Sequence, residues 1–388
     1  MHRFLALTPV SPIRIGGVKV GAYLDTLDYI PGSVIRGAVA EWLIQNGRES
    51  EIPEIVNRIR FGNFFPTYSK NYISLPFPST AVECKVKSGF INVPRKDQKE
   101  KGHGIRDILL ITLDYLELEK LGARFPVPML LRCKECKGRL EKLSGFYVKL
   151  QEGYRKVKIS KIVQTKVALS RHRRASQERM LYHVVGIKPK DITFIGRIWT
   201  DNDEDLKLIK EAIENIGIGS LTTRGFGNVK VEEVNPKLQL PSLEDRLNKF
   251  NERLKEVWSQ LFSLIKQSNI PKEPDYTYFS IDLLSPAILS SNQSIPTLKL
   301  NLGGDFELIY WFTQPTFIGG WSTAWGLYKP TSLAAASGSV YVFKTEKSIE
   351  EILPKLEELE NKGVGYRTDE GYGEILICHP FHLEVRPV

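Results

Sequence analysis

The sequence predicts an α+β protein built from two ferredoxin-like domains. Two glycine-rich segments, residues 217–231 and 363–377, support this prediction because each contains glycines, an arginine, a Gly-aromatic-Gly triplet and then an alternating strand pattern. Each segment follows a polar helix pattern, and a strand that ends in Ser-Pro lies well upstream of each. Self-similarity of this kind indicates one fold used twice in the chain.

The first repeat is expected to contain a strand, a hairpin, a helix, two strands and a second helix: residues 3–10, 13–24, 30–45, 181–186, 192–199 and 204–216. Pro31 or Ser33 suits the start of the first helix. Arg36 falls on the first turns of that helix, beside free backbone N–H groups, and is a candidate phosphate ligand. An ordinary surface arginine is an equally good interpretation of Arg36.

An insertion of about residues 61–180 interrupts the first domain, which we place at residues 1–240. Its N-terminal part shows little helical periodicity, and residues 108–115 are expected to form a strand. A polar loop is expected at residues 93–103. Two strands with interleaved basic residues are expected within residues 146–169.

A linking segment at residues 241–274 contains a long amphipathic helix and ends in a proline-rich stretch. The second domain follows at residues 275–388. Its order is close to βαββαβ with one helix replaced by a loop, which is typical of a ferredoxin-like fold. The expected strands and helix are residues 278–284, 297–302, 305–316, 338–344 and 349–361.

The net charge of +9 is concentrated in one stretch. Residues 132–174 hold 14 Lys and Arg against 3 Asp and Glu, a net charge of +11, so the rest of the chain is slightly acidic. Such a block favours a polyanionic partner, most often a nucleic acid. A solvated surface with mixed contacts is the alternative.

Composition excludes several classes of protein. An apolar content of 42% is ordinary for a globular chain, and no apolar run is as long as a membrane span. Four cysteines in 388 residues do not form a disulfide framework, so a reducing cytoplasm is the expected compartment. The N-terminal apolar run is interrupted by prolines and predicts a strand, not a signal peptide.

Cys133 and Cys136 have the spacing of a pair of metal ligands. A tetrahedral zinc site needs two more ligands, and Cys84 and His103 are the best candidates because both lie in polar settings within the same insertion. Two free thiols and an unrelated histidine are the alternative. A thioredoxin-like redox pair is not expected because no βαβ pattern surrounds the motif.

Two further groups of residues are candidates for RNA binding. The first is basic or glycine-rich, and its arginines suit phosphates and splayed bases. The second consists of aromatics on a loop, which can stack on bases, anchor a protein interface or fill the core. The candidates are Arg171, His172, Arg173, Arg174, Arg224, Gly225, Phe226 and Gly227 in the first group, and Trp321 and Trp325 in the second.

Several of these segments resemble the RAMP superfamily of CRISPR proteins. The resemblance lies in IPGSVIRG at residues 30–37, SLTTRGFG at residues 220–227 and the basic segment at residues 171–182. More narrowly, the chain is similar to the type III-D subunit family called Csx-ten. That similarity rests on LDYIPGSVIRG, PSTAVECK, HGIRD, the Cys-x-x-Cys motif, GGWSTAWGLYKP and GSVYVF, in this order along the chain.

The resemblance implies two ferredoxin-like (RRM-like) domains and a non-catalytic role in antiviral defence. It implies that the chain holds the 5′ handle of a CRISPR RNA beside the large subunit of an effector complex, with backbone RAMP subunits as further partners and no membrane. The rival hypothesis is a metal-independent endoribonuclease that processes the CRISPR RNA precursor. His172 would then be the general base, assisted by Tyr23 or Lys19.

Overall fold

The computed structural model describes residues 2–20, 23–93, 95–126, 129–170, 172–237, 240–265, 270–291, 295–322 and 326–384. The fold is a mixed α+β arrangement in which nearly all strand pairs are antiparallel. Within the described ranges, no helix combines the length and apolar character that a membrane span requires.

Most strands are short. In chain order they are β1 His2–Pro9, β2 Gly16–Val20, β3 Tyr23–Thr26, β4 Arg60–Thr67, β5 Ser74–Pro76, β6 Ala81–Cys84, β7 Ile105–Asp107, β8 Leu140–Lys142, β9 Phe146–Leu150, β10 Gly153–Val157, β11 Lys161–Ser170, β12 Ala175–Ile187, β13 Thr193–Trp199, β14 Val229–Val234, β15 Thr277–Leu283, β16 Leu289–Ser290, β17 Pro296–Thr297, β18 Glu307–Phe312, β19 Pro315–Ile318, β20 Trp321–Ser322, β21 Leu327–Tyr328, β22 Ser332–Ala335, β23 Val340–Thr345 and β24 Ile375–Ile377. The α-helices are α1 Gly32–Gln45, α2 Ile52–Arg58, α3 Leu109–Lys120, α4 Asp203–Ile216, α5 Leu243–Phe262, α6 Ile349–Lys362 and α7 Phe381–Glu384.

The first sheet has the order β14-β1-β13-β4 and is antiparallel throughout. Helix α1 packs on β4, α4 packs on β14, and the two helices pack on each other, so both cover one face of the sheet. Asn202 caps α4 by accepting a hydrogen bond from the Glu204 N–H, and α4 ends at Gly217, where φ is +76°.

The second sheet has the order β18-β23-β15-β24. Ser348 and Glu351 form a reciprocal capping box at the start of α6, which packs on β24. No helix of the described residues lies between β15 and β18. The linking helix α5 instead packs beside α6 and against β15 and β24. The sheet therefore gains a second covering helix from outside the repeat.

The insertion differs from its expected structure at two places. A strand was expected at residues 108–115, but helix α3 begins at Leu109 and covers the rest of this stretch. Its Leu109, Leu110 and Leu113 are buried in one core with residues of α5, so tertiary packing decided the conformation of this apolar run. Residues 146–169 form three strands, not two, because β9 and β10 make a tight hairpin before β11 begins.

Two sheets that contain strands of the insertion position candidate functional residues. Strands β7-β6-β8 carry the cysteine and histidine cluster, and the sheet β11-β12-β3-β2 ends in a long ribbon of β11 and β12. The main hydrophobic core of the first repeat also contains Leu284, Leu376 and Phe381 from the second, so the two repeats share buried surface.

Candidate nucleic-acid interface and metal centre

The two glycine-rich loops share one backbone structure. Each begins at the glycine that ends the preceding helix, Gly217 or Gly363, with φ near +77° in both. Each loop is then closed by three backbone hydrogen bonds at matching positions. The donors and acceptors are Ile218 to Gly227, Gly227 to Pro12 and Ser220 to Arg14 in the first loop, and Val364 to Gly373, Gly373 to Pro286 and Tyr366 to Ile288 in the second.

At one matching position, the two loops carry side chains of opposite charge. Arg224 in the first loop corresponds to Glu370 in the second, because each is the last residue of a single 3₁₀ turn. Arg367 corresponds to Leu221, since both precede that turn in a left-handed conformation, with φ of +60° and +66°. Arg224 and Arg367, the single arginines of the two loops, therefore lie at different positions and are not equivalent.

Cationic side chains of the same chain surround an acidic residue of the second loop. The Glu370 carboxylate, of which only 7% of the side chain is exposed, lies 2.9 Å from the Arg36 guanidinium and 2.5 Å from Arg367. Lys329 completes the cluster at 3.2 Å. Burial raises the pKa of Glu370, but Arg367 and Lys329 outweigh burial and lower it. Asp369 also lies 3.2 Å from Arg36.

These contacts correct the expectation for Arg36. Its guanidinium is engaged by two carboxylates of the second loop, so it is not a free phosphate ligand in this structure.

The second loop packs closely against the start of α1. A Cβ at Gly32 would lie 2.1 Å from the carbonyl oxygen of Phe61 and 2.9 Å from that of Glu370. The Asn63 side-chain amide donates to the carbonyl oxygen of Gly371.

The first loop is open to solvent. Arg224 and Gly225 are exposed, and a Cβ at Gly225 would meet no atom within 4 Å. Among the described residues, no acceptor is found for the backbone N–H groups of Leu221 and Thr222. Phe226 is only 1% exposed, and its buried ring cannot stack on a base. Only the backbone of Phe226 therefore stays a candidate for RNA binding.

The ribbon of β11 and β12 places the basic segment at its turn. His172, Arg173 and Arg174 are exposed there, and the Arg173 N–H donates to the Ser170 hydroxyl at 3.2 Å. Arg171 lies outside the described residues. At the base of the ribbon, the Lys166 ammonium lies 5.5 Å from the centre of the Phe226 ring, beside the first glycine loop.

The catalytic assembly of the rival hypothesis is not formed. His172 lies at the turn of the ribbon, whereas Tyr23 lies at its base and stacks on His183 with ring centres 4.4 Å apart. At about 3.3 Å per residue, the strand between them spans about 25 Å. The backbone of Lys19 pairs with Leu24 at the same base. His172 is therefore remote from Tyr23 and from the backbone of Lys19.

The basic block is partly neutralised by acids from outside it. Sequence reasoning missed these pairs because their members lie far apart along the chain. The pairs are Lys149 with Glu384, Arg155 with Asp97, Lys156 with Glu83, Lys158 with Glu100 and Lys161 with Asp28. The net charge of the stretch therefore overstates the charge available to a polyanion.

Trp321 lies on an aromatic hairpin that projects from the second repeat. The side chains of Trp321 and Tyr328 pair edge to face across β20 and β21 and are exposed, as is Phe317 on β19. Their exposure overturns the interpretation of this loop as a core plug. Trp325 lies outside the described residues. The sequence did not single out Phe317, which follows directly after the strand expected at residues 305–316.

The four predicted metal ligands lie together. Cys84 ends β6, His103 lies just before β7, and Cys133 and Cys136 flank a turn before β8. Their ligand atoms all lie within 4.8 Å of one another. The Cys84 and Cys136 sulfurs are 3.4 Å apart, and the Cys133 sulfur is 3.7 Å from His103 Nδ1.

The distances of 3.4 Å and 3.7 Å fit the edges of a tetrahedral metal site. Bonds of about 2.0–2.3 Å place ligand atoms about 3.3–3.8 Å apart at the corners of a tetrahedron. Burial raises the pKa of the Cys133 thiol, but hydrogen bonds from the Cys136 and Glu135 backbone, together with the neighbouring sulfurs, lower it to about 6. The cluster can thus supply a thiolate at neutral pH, and it can bind a metal.

Two protein families match the sequence. Residues 6–230 match the RAMP superfamily, and residues 159–380 match a family described as CRISPR-associated protein (Cas_Cmr3). Each match spans more than half of the chain. No curated protein matches the chain.

Several solved structures of type III CRISPR complexes contain a similar chain. A chain of the type III-B Cmr-beta complex bound to cognate target RNA aligns with 14% identity and a TM-score of 0.44, covering 96% of both chains. A chain of the Csm3–Csm4 subcomplex of the type III-A CRISPR-Cas interference complex aligns with 15% identity and a TM-score of 0.38, covering 90% of this chain and 95% of the other. A chain of the Csm1–Csm4 cassette in complex with AMPPNP aligns with 12% identity and a TM-score of 0.32, covering 88% of this chain and 87% of the other.

Proposed function

This chain belongs to the RAMP superfamily and to the Cas_Cmr3 family of CRISPR-associated proteins, and we propose that it is a non-catalytic, RNA-binding structural subunit of a type III effector complex. We further propose that it is of the III-D kind, holds the 5′ handle of the CRISPR RNA and contacts the large subunit and backbone RAMP subunits in antiviral defence. The motifs shared with the Csx-ten family support this narrower assignment.

We propose that the two repeats are two ferredoxin-like units, at residues 1–240 and 275–388, joined by residues 241–274. In both sheets the order of the strands is fourth, first, third, second when they are numbered along each repeat. A βαββαβ unit has this order. The second unit uses α5 in place of its missing first helix.

One observation carries the RNA-binding proposal, namely the inverted charge between two loops of the same structure. In the second loop, Glu370 faces the cation Arg36 of its own chain. In the first loop, the equivalent Arg224 is exposed beside the N–H groups of Leu221 and Thr222, which have no acceptor within the part of the chain that the structure describes. The same backbone with the opposite charge suits an anion, and a phosphate of RNA fits both the arginine fork and the N–H groups.

The proposed RNA path continues from the first loop to the ribbon. Gly225 allows close approach of a phosphate to the loop backbone, because a Cβ there would meet no atom within 4 Å. Gly227 is buried against the Ile218 carbonyl and shapes the loop. Lys166 of the ribbon lies beside the loop, 5.5 Å from the Phe226 ring centre, and the turn of the ribbon supplies further cations. Bases would stack on exposed aromatics of the second unit. The remaining proposed contacts are Arg171, His172, Arg173, Arg174, Trp321 and Trp325.

We also propose that Cys84, His103, Cys133 and Cys136 hold a structural zinc ion. A set of three sulfurs and one ring nitrogen is a common donor set of structural zinc sites. The four residues come from separate segments of the insertion, so the metal would hold these segments together.

Arg224→Ala tests the RNA-binding proposal. Loss of a charge-assisted hydrogen bond of about 1.5–3 kcal/mol should weaken binding roughly 10- to 150-fold. The measurement is fluorescence anisotropy at fixed salt with a labelled single-stranded RNA that carries the repeat-derived handle. Arg253→Ala, on the surface of α5, is the matched control and should leave the affinity unchanged. Equal affinities of the wild type and Arg224→Ala would refute the proposed site.

A further inference from the structure

The aromatic hairpin of the second repeat, which runs from β19 to β22, is the counterpart of the ribbon of β11 and β12. Each of the two returns to the start of its own repeat through two reciprocal backbone hydrogen bonds. These bonds join Ile13 to Ile187 in the first repeat and Ala287 to Ala335 in the second. Ile13 and Ala287 are also the residues that directly follow the two Ser-Pro pairs. The two repeats therefore carry equivalent projections, and each projection packs against the glycine-rich loop of its own repeat.

An apolar contact holds only the base of the aromatic hairpin. Ile318 of β19 and Ala334 of β22 are buried in a small cluster with Tyr372 of the second glycine loop. Side chains alternate along a strand, so the exposed ring of the neighbouring Phe317 points away from this loop. The cluster does not include the exposed rings further out on the hairpin, which are those of Trp321 and Tyr328. A different contact is needed to fix the part of the hairpin that carries these rings.

The second contact of the hairpin lies closer to its aromatic part and is ionic. Lys329 directly follows β21, and its backbone N–H donates to the Gly320 carbonyl oxygen across the hairpin at 2.8 Å. The Lys329 ammonium lies 3.3 Å and 3.2 Å from the two carboxylate oxygens of Glu370. Both side chains are largely buried, so solvent ions screen this pair less than an exposed one. Since Glu370 also contacts Arg36, the pair links the hairpin to helix α1 of the first repeat.

The opposite charges of the two loops match this difference between the two projections. On the ribbon, Lys166 lies beside the first loop, which has no acidic residue within residues 217–227. The first loop therefore offers the ribbon no carboxylate. In the second loop, Glu370 stands at the position of Arg224, where an arginine would repel Lys329. The acid suits a hairpin that is held by its own loop, whereas the first loop keeps its arginine for an external anion.

We propose that Glu370 is a positioning residue, which holds the aromatic hairpin through Lys329 so that the exposed rings meet RNA in one fixed arrangement. The inference rests on the proposed function, because it takes these rings to be contacts for bases. A binding surface that is ordered in advance loses less conformational entropy when its ligand binds. Removal of the ion pair should therefore loosen the hairpin and weaken RNA binding, although it removes no group that is proposed to touch RNA.

Lys329→Met tests the ion pair by itself. Methionine keeps an unbranched side chain but removes the charge. Glu370 retains Arg36 and Arg367 as partners in this variant, so no buried carboxylate is left unpaired and the chain should fold. Lys329→Arg is the conservative variant, which keeps the cation. Lys347→Met is the matched control, because it removes the cation of an exposed ion pair in the same repeat.

The position of the hairpin is measured as a distance between two nitroxide labels in the full chain without RNA. The labels are attached to ketone-bearing amino acids in place of Gln45, at the end of α1, and Leu327, on β21, both of which are exposed. The distance distribution should be at least about twice as wide in Lys329→Met as in the wild type, because the hairpin then populates several arrangements. Lys329→Arg and Lys347→Met should keep the narrow distribution of the wild type.

RNA binding of the same variants is the second readout. Lys329→Met should bind the handle RNA about three- to tenfold more weakly than the wild type, because only a fraction of its hairpins has the binding arrangement. Lys329→Arg should restore the affinity. An unchanged distance distribution in Lys329→Met would overturn the inference, since the apolar base alone would then hold the hairpin. A wider distribution with unchanged affinity would also contradict it. If the wild type binds no handle RNA, the proposed function fails, whereas the distances measured without RNA still decide whether the ion pair positions the hairpin.

Discussion

His382 lies between two buried carboxylates and holds three elements together. Its Nε2 is 2.8 Å from Asp282 on β15, and its Nδ1 is 3.1 Å from Asp107 on β7. Burial lowers the pKa of this imidazole, but the two carboxylates outweigh burial and raise it to about 10. His382 is therefore a cation at neutral pH and joins the insertion, the second sheet and α7.

Replacing His382 with glutamine should leave the two carboxylates uncompensated and cost about 3–5 kcal/mol of unfolding free energy near neutral pH. The folded-state pKa lies above the unfolded value of 6.5, so the stabilisation is fully present below that pH and is lost as the pH rises toward 10. The difference between wild type and H382Q in urea unfolding should therefore shrink from about pH 6 to about pH 10. His172→Gln, at an exposed position, is the control. A difference that does not change with pH would contradict this assignment.

At the residue scale, prediction from sequence succeeded where local chemistry was specific. Cys133 and Cys136 pointed to two further ligands, and the structure places Cys84 and His103 beside them. The same reasoning was wrong for Arg36, because its partners lie more than 330 positions away and no local pattern encodes them.

At the scale of elements, the repeated glycine loops were predictable because their positive φ angles require glycine at fixed positions. Helix α3 was not predictable, because its apolar residues show no clear helical period. Its conformation depends on packing against α5, more than 120 positions later in the chain. Two strands with interleaved basic residues were expected within residues 146–169, where the structure has three strands. The exposed aliphatic side chains of β11 depend on its registration with β12, which the sequence alone does not fix.

The metal cluster links elements that have little core of their own, since β7 and β8 are three residues each. Purified protein should contain about one zinc ion per chain, and Cys133→Ser should lose the ion and lower the melting temperature of the insertion. Elemental analysis and thermal unfolding measure these effects. Cys378→Ala is the control, because Cys378 is buried in the core of the second repeat. Protein purified without chelator that lacks stoichiometric zinc would refute the site, and zinc that survives His103→Ala would exclude His103 as a ligand.

At the scale of the whole molecule, the second glycine loop joins the two repeats. Arg36 and Glu370 form the ionic centre of this junction, and Arg197 pairs with Glu374 at 3.0 Å beside it. Leu376 lies in the core of the first repeat, so apolar burial accompanies the ion pairs. The sequence predicted that two related units exist, but the geometry of their junction depends on contacts between distant segments.

The last prediction tests this junction by exchanging its charges. Glu370→Arg alone should cost about 3–5 kcal/mol of unfolding free energy, because it brings a further cation next to Arg36, Lys329 and Arg367 in a buried site. Arg36→Glu alone should also destabilise the fold. The double exchange keeps the net charge of the cluster, so the two changes together should cost less than their sum by about 0.5–3 kcal/mol. Urea unfolding of the four proteins measures this coupling. The same exchange at the exposed pair Arg253 and Glu256 should show a coupling of about 0–1 kcal/mol. Additive costs at Arg36 and Glu370 would mean that the apolar contacts, and not this ion pair, hold the two repeats together.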